Sequence, residues 1–224
     1  MSSTQNEPKK HTKTYYNRHA IFLMYSAFLE CKEIGCTTLN LYDLDDIVPY
    51  SMESIKIHLT YLKNRGLIYI KGDIDIEESV EIQLTENGNY LSFYLKDIKY
   101  QSIYNSIKRK PLIKQVGSHA RTYYNRHALS ILYMLCQEKN KENFNFEELV
   151  DITGFSKESV SIHVNYLTKD SRFKAKLMSL ENNTIKITDF GRFVFKILKD
   201  IKYQTISSYK AKNRNKEIAY DNHL

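Results

Sequence analysis

Residues 51–68, Ser51-Met52-Glu53-Ser54-Ile55-Lys56-Ile57-His58-Leu59-Thr60-Tyr61-Leu62-Lys63-Asn64-Arg65-Gly66-Leu67-Ile68, spell out one helix together with its start and its stop. Ser51 supplies an N-cap oxygen, and Ser54 and Ile55 lie in the first turns. Ile55, Leu59 and Leu62 recur at helical spacing and must face a core, with His58 packed under the helix rather than serving as a ligand or base. That leaves Ser51, Met52, Lys56, Thr60 and Lys63 pointing outward. The helix runs from Ser51 to Asn64, and Gly66 provides the left-handed residue that ends it.

Beyond Gly66 the period changes. Leu67 to Lys71 reads as a strand, Gly72 to Ser79 as a turn-bearing loop, and Val80-Glu81-Ile82-Gln83-Leu84 alternates as a second strand. Thr85 then caps a long helix through Gly88 towards Lys110, stopped by Pro111. Upstream, residues 1–13 carry Lys9, Lys10, His11 and Lys13 and predict a flexible basic arm. Tyr15 to about Lys32 is helical and apolar almost all the way round, from Ala20 to Leu29, so it needs cover on every side. One small domain covers one face only, which points to packing against a repeat or a second chain. A short extended Thr37-Thr38-Leu39 and a two-turn helix from Leu41 to Val48 complete the unit.

The unit occurs twice. Thr14-Tyr15-Tyr16-Asn17-Arg18-His19-Ala20 returns as Thr122-Tyr123-Tyr124-Asn125-Arg126-His127-Ala128, and Leu95-Lys96-Asp97-Ile98-Lys99-Tyr100-Gln101 returns as Leu198-Lys199-Asp200-Ile201-Lys202-Tyr203-Gln204. Between them, Glu53-Ser54, His58 and Tyr61-Leu62 reappear as Glu158-Ser159, His163 and Tyr166-Leu167. A period near 100 residues is too long for a solenoid, so each copy is a small domain with its own core. The expected division is a basic arm over 1–13, one domain over 14–110, a basic linker over 111–121, a second domain over 122–210 and a basic tail over 211–224. In the second domain Asn143-Phe144 is the short strand, Glu147 to Thr153 the small helix and Ser156 to Asp170 the next helix. Phe173 to Leu180 with Ile185 to Ile187 form the hairpin, and Thr188 caps the last helix. Two copies in one chain behave as a covalent pseudo-dimer, which suits a partner with regular spacing such as duplex DNA.

Composition sets outer limits. The 224 residues carry a formal net charge of +7, which favours a polyanionic partner, although a Lys-rich chain is also expected from AT-rich coding. The three cysteines show no metal-ligand spacing and read as reduced core thiols of a cytoplasmic, nucleoid-associated protein. No leader peptide or membrane-spanning run is expected. With seven glycines, no phosphate-cradling loop, no nucleophile elbow and no paired carboxylates, the expectation is a non-enzyme without metal or cofactor.

The order helix, short strand, two-helix turn, hairpin, helix resembles a winged helix-turn-helix domain. Ser51-x-x-Ser54-Ile55-x-x-His58-Leu59-x-x-Leu62-x-x-x-Gly66-Leu67-Ile68 is similar to the recognition-helix-to-wing passage of the MarR, ArsR and PadR-like regulators. Gln83-Leu84-Thr85-Glu86-Asn87-Gly88 resembles the step from wing strand to final helix in the same families. The second copy keeps Ser156-x-x-Ser159-Val160-x-x-His163-Val164-x-x-Leu167 and Ile187-Thr188-Asp189-Phe190-Gly191, but has Ser171-Arg172-Phe173 where the Gly-Leu-Ile ending would stand. The resemblance implies a mainly α fold with small β-hairpin wings (α+β), as two tandem domains arranged as a pseudo-dimer.

It also implies recognition helices, over 51–64 and 156–170, that enter the major groove. The outward set in the second is Ser156, Lys157, Ser161, Asn165 and Lys169, where Asn165 suits adenine. Lys56 and Lys157 suit guanine or phosphate. The first wing, with Asp73, Asp75, Glu77 and Glu78, repels a phosphate backbone and suits a protein face. The second has Arg172, Lys174 and Lys176 on its first strand and an Asn182-Asn183 tip, so unequal halves are expected. Tyr-Tyr-Asn-Arg-His opens the first helix of each unit. It reads either as a phosphate site carried by Arg18 and Arg126 or as an inter-repeat seam made by Tyr15, Tyr16, Tyr123 and Tyr124. The stripe Tyr100, Ile103, Tyr104 and Ile107 lies beyond the first core and can join two units or two chains as a homodimer. The function expected is a double-stranded DNA-binding transcriptional regulator. The alternatives are an architectural or replication-initiation DNA binder with little sequence preference, and a protein-interaction module of the transcription or replication machinery.

Overall fold

The computed structural model describes residues 10–74, 76, 79–98, 119–138, 141–171 and 174–201, with side chains described from Tyr16 onward in the first helix and from Asn125 onward in the fifth. The chain divides into two compact units, Met1–Lys96 with Tyr100–Lys114 and Asp97–Lys99 with Gln115–Leu224. The first copy runs α1 (Lys10–Ile34), β1 (Thr38–Asn40), α2 (Leu41–Ile47), α3 (Met52–Asn64), β2 (Ile68–Lys71), β3 (Glu81–Leu84) and α4 (Glu86–Asp97). The second repeats this order as α5 (His119–Leu135), β4 (Asn143–Phe144), α6 (Phe146–Thr153), α7 (Lys157–Thr168), β5 (Met178–Glu181), β6 (Thr184–Ile187) and α8 (Asp189–Asp200). Helices dominate and each sheet has three antiparallel strands, an α+β architecture.

The strand added between the first two helices does the closing. In unit 1 the sheet order is β1-β3-β2, so the hairpin strand β3 is central. Leu39 and Ile70 both stand opposite Ile82, and Ile68 stands opposite Leu84. Leu39, Ile82, Leu84 and Ile68 are buried while Thr38, Gln83 and Tyr69 face solvent, the two-residue alternation of a half-covered sheet. Unit 2 has the order β4-β6-β5, with Phe144, Ile185, Ile187 and Met178 inward. Beneath each sheet the first helix packs on the third: α1 on α3 and α2, α5 on α7 and α6. The apolar run of α1 is buried as its composition requires, with Ala20, Ile21, Leu23, Met24, Ala27 and Phe28 at most slightly exposed.

Several boundaries differ from those expected, and α5 begins at His119, inside the expected linker 111–121. α1 begins at Lys10, so residues 10–13 belong to a helix and not to the arm; Lys and Thr are tolerable helix formers once a buried stretch anchors the next turns. The small helix of unit 2 starts at Phe146, capped by Asn145, whose side chain accepts from Glu148 N while the Glu148 carboxylate accepts from Asn145 N. The first hairpin strand of unit 2 starts at Met178, not Phe173.

That last difference has a structural cause. In unit 1 α3 ends at once: Gly66, at φ 65°, lets Leu67 N donate to Leu62 O at 3.0 Å. In unit 2 the same bond exists, from Leu177 N to Leu167 O at 2.8 Å, but ten residues separate the two leucines instead of five. The counterpart of Leu67-Ile68 is therefore Leu177-Met178, and five extra residues stand between Leu167 and Leu177. Downstream, unit 2 loses residues again. Asn182 and Asn183, at φ 49° and 63°, make a two-residue turn between Glu181 and Thr184, the left-handed pair that matches strand twist. An insertion followed by a shorter hairpin explains why the repeat offset rises after Leu62 and then falls to 103 at Thr85 and Thr188.

The step into the last helix is shared by the copies to the atom. Thr85 Oγ1 donates to Gly66 O at 2.8 Å and accepts from Gly88 N at 3.0 Å, while Thr85 N donates to Leu67 O at 3.0 Å. Thr188 repeats this with Lys176 O, Gly191 N and Leu177 O, at 2.8, 3.0 and 3.1 Å. One threonine thus caps the helix and ties it to the segment leaving the third helix.

Ser51 and Ser156 cap α3 and α7, each accepting from the backbone of the residue three ahead at 3.3 Å. Ser156→Ala is expected to lower stability by about 1 kcal/mol and Ser156→Gly by only a few tenths, read as shifts in the urea midpoint at unchanged slope.

Candidate functional site

The solvent face of the third helix in each unit holds most of the expected contact residues. α3 buries Ile55, His58, Leu59 and Leu62, and α7 buries Val160, His163, Val164 and Leu167. With the inner face so assigned, a 3.6-residue period puts Glu53, Ile57, Thr60 and Asn64 along the middle of the outer face of α3. The same period puts Glu158, Ile162, Asn165 and Lys169 on that of α7. All eight are exposed.

Of the expected set in unit 1, Ser51, Thr60 and Lys63 are exposed, whereas Met52 and Lys56 are half-buried. Thr60 Oγ1 donates to Lys56 O at 2.9 Å, so its hydroxyl proton is spent inside the helix. In unit 2, Lys157, Ser161, Asn165 and Lys169 are all exposed. Ser51 and Ser156 stand at the helix starts, but their oxygens are engaged as caps. Glu158 sits in the first turn of α7, where hydrogen bonds from backbone and from Ser156 hold its carboxyl below the usual range. It is an anion at neutral pH beside Lys157.

Ile57 and Ile162 are not legible as site residues from the core spacing alone. They are 53 % and 54 % exposed, occupy equivalent positions 105 residues apart, and lie at the centre of each outer face. A signal for them does exist: neither fits the buried i, i+3, i+4, i+7 stripe of its own helix.

The second wing is less basic in place than in sequence. Lys176 is exposed, but Lys174 lies between Leu167 and Leu177, half-buried. Its ammonium pairs with the Asp97 carboxylate within unit 2, which also accepts from Tyr166 OH at 2.9 Å. Arg172 lies outside the described residues. In the first wing Asp73 is exposed, and Asp75, Glu77 and Glu78 lie outside the described residues. Wing 1 also presents Tyr69 and Ile76 to solvent.

The Tyr-Tyr-Asn-Arg-His motif does not open its helices. Arg18 is the ninth residue of α1 and Arg126 the eighth of α5, past the turn whose free N–H groups attract phosphate. Arg18 is half-buried, and Arg126 Nε donates to Ile98 O at 3.0 Å within unit 2. The motif's inward residues do something neither expectation named. His19 stacks on Tyr50 at 4.9 Å between ring centres and meets His58 edge-on at 5.6 Å. His127 stacks on Phe155 at 5.1 Å and meets His163 edge-on at 5.7 Å. Each unit therefore clamps its third helix to its first through two buried histidines and one aromatic ring. Burial pushes His19, His58 and His163 down to about 4, with His19 adding to the effect on His58 and His127 to that on His163. Tyr16 is 44 % exposed, with its ring 6.0 Å from that of His58. The side chains of Tyr15, Tyr123 and Tyr124, and residues Tyr100, Ile103, Tyr104 and Ile107, lie outside those described.

Among the described residues no cluster of three or more His, Cys, Asp or Glu side chains is placed to hold a metal ion, and no helix is long and apolar enough to cross a membrane. Comparison with family models, curated proteins and solved structures found no match to this chain.

Proposed function

We propose that each unit is a winged helix-turn-helix domain and that the chain binds double-stranded DNA through α3 and α7, as a transcriptional regulator. The topology supports the domain assignment: helix, strand, two helices, then a hairpin whose second strand pairs with the first strand. The observation that carries the DNA reading is the matched outer face of α3 and α7. Each is exposed along its length, with an isoleucine at its centre, hydroxyl, amide and lysine groups around it, and one carboxylate, Glu53 or Glu158, in its first turn. An exposed isoleucine disfavours water but suits the methyl group of thymine, and Asn165 next to it suits adenine, so A·T-rich sites are the expected targets. Lys63 near the end of α3, and Lys157 and Lys169 at the two ends of α7, supply phosphate contacts.

The halves contribute unequally. Lys157 and Asn165 stand clear in solvent, whereas Lys56 is half-buried and the Thr60 hydroxyl is engaged. Lys157→Ala with Asn165→Ala is expected to weaken duplex binding by about tenfold or more, and more than Lys56→Ala with Thr60→Ala. Fluorescence anisotropy with labelled duplex across a salt series measures both pairs. Equal losses would defeat the unequal halves, and absence of salt-dependent duplex binding at low salt would defeat the DNA reading. The second outcome favours a protein-docking module, for which exposed Tyr69 and Ile76 on the wing of unit 1 are the specific support.

A further inference from the structure

The end of α1 is closed by a Schellman motif. Gly35 takes the left-handed conformation at φ 74°, and Cys36 N donates back to Cys31 O at 3.1 Å. This closure brings together the side chains of the residue after the glycine and the residue five before it, a pair that is ordinarily two apolar groups. Here the two positions are Cys36 and Cys31. The Cys36 thiol donates to Cys31 Sγ at 3.0 Å, both residues are half-buried, and both thiols are free. A sulfur–sulfur bond needs about 2.0 Å, so closing it requires a movement of about an ångström.

We infer that Cys31 and Cys36 are a reversible dithiol–disulfide pair, oxidised by low-molecular-weight disulfides of the glutathione class, which locks the C-cap of α1 and the start of β1. The assignment rests on the cap geometry and is independent of whether the chain binds DNA. It also distinguishes the copies, because Cys136 has no cysteine partner among the described residues.

The exchange starts at Cys36. Burial first, then the Cys36 hydrogen bond and charge, with Glu30 and Asp43 adding, push the Cys31 thiol up to about 12, which makes it a poor first nucleophile. The Cys36 thiolate attacks one sulfur of oxidised glutathione, forming a mixed disulfide and releasing one glutathione thiolate. Capping removes the hydrogen bond and charge that Cys36 imposed on its neighbour. The Cys31 thiolate then attacks Cys36 Sγ and expels the second glutathione thiolate. Two protein thiols and one glutathione disulfide become one protein disulfide and two glutathione thiols.

The test is a thiol count on the full-length native chain equilibrated with oxidised glutathione, acid-quenched and labelled with maleimide. Labelled thiols are expected to fall from the three of the sequence to one, with the protein lighter by two hydrogens and dithiothreitol restoring the original count. Lys32 lies between the two cysteines, so trypsin separates them and a Cys31–Cys36 bond appears as two linked peptides. Cys36→Ser is expected to lose the internal bond entirely. Persistence of all three thiols, a stable glutathione adduct in place of ring closure, or linkage of either cysteine to Cys136 would overturn the assignment.

Discussion

Gly191→Ala is expected to destabilise the protein by about 3 kcal/mol or more, and Gly88→Ala to behave alike. Neither glycine has a positive φ, and both lie inside helices, where alanine is by itself favoured over glycine by about 1 kcal/mol. The clash must overcome that gain, and its geometry is severe. A methyl at Gly191 would stand 2.1 Å from Leu177 O, and one at Gly88 would stand 2.1 Å from Leu67 O. These are backbone carbonyls already held by Thr188 N and Thr85 N, so neither can swing away as a side chain would. The last helix would have to lift off, breaking the threonine cap and the tie to the third helix together. Gly66→Ala makes the useful contrast. It meets open space and suffers only from φ 65°, a penalty of roughly 1–2 kcal/mol. Urea denaturation of the three variants orders them, and a Gly191→Ala protein within about 1 kcal/mol of the parent would refute the tight approach.

Acidification is expected to remove several kcal/mol of stability between pH 7 and pH 4, through the buried histidine pairs. His19, His58 and His163 titrate near 4 in the folded chain against 6.5 when unconstrained. The unfolded chain therefore binds more protons throughout that window, and stability rises with pH across it. The contribution is complete above about pH 6.5, shrinks as pH falls, and reaches its full loss below about pH 4. A displacement of that size corresponds to roughly 3 kcal/mol per ring. Carboxylates such as Glu148, held low by Lys141 and the Asn145 backbone, lose stability in the same direction, so the histidines need their own control. His58→Leu and His163→Leu keep an apolar group in the clamp and are expected to flatten the pH dependence of the denaturation midpoint between pH 6.5 and 4. An unaltered slope in both would place the acid sensitivity elsewhere.

Much of this molecule is dictated by local pattern. The helix over 51–64 shows its Ser51 cap, its Ile55-Leu59-Leu62 stripe and its Gly66 stop within eighteen residues, because caps and periods are short-range effects that need no tertiary information. The duplication, the order of elements and the capping threonines before the last helices are legible for the same reason, as are the burial of His58 and His163 and the exposure of Lys157 and Asn165.

Spacing across loops is not legible in that way. By sequence, Ser171-Arg172-Phe173 falls where the Gly-Leu-Ile ending of the first copy stands. The Leu177–Leu167 and Thr188–Leu177 hydrogen bonds identify the true counterpart, five residues further on, because a looped-out insertion costs little and leaves no periodic mark. Lys174 shows the consequence: expected as a strand cation facing a phosphate, it sits half-buried against Asp97, a residue 77 positions away. The repeated Tyr-Tyr-Asn-Arg-His is the other case. Its identity in both copies announces a constraint without naming it, since the partners of its histidine, Tyr50 with His58 and Phe155 with His163, come from other parts of each unit. Sequence alone determined the order and type of the helices and strands, because those choices rest on neighbours within a few residues. Which charges stay in solvent, and what the shared motif holds, were decided only when packing brought distant residues into van der Waals contact.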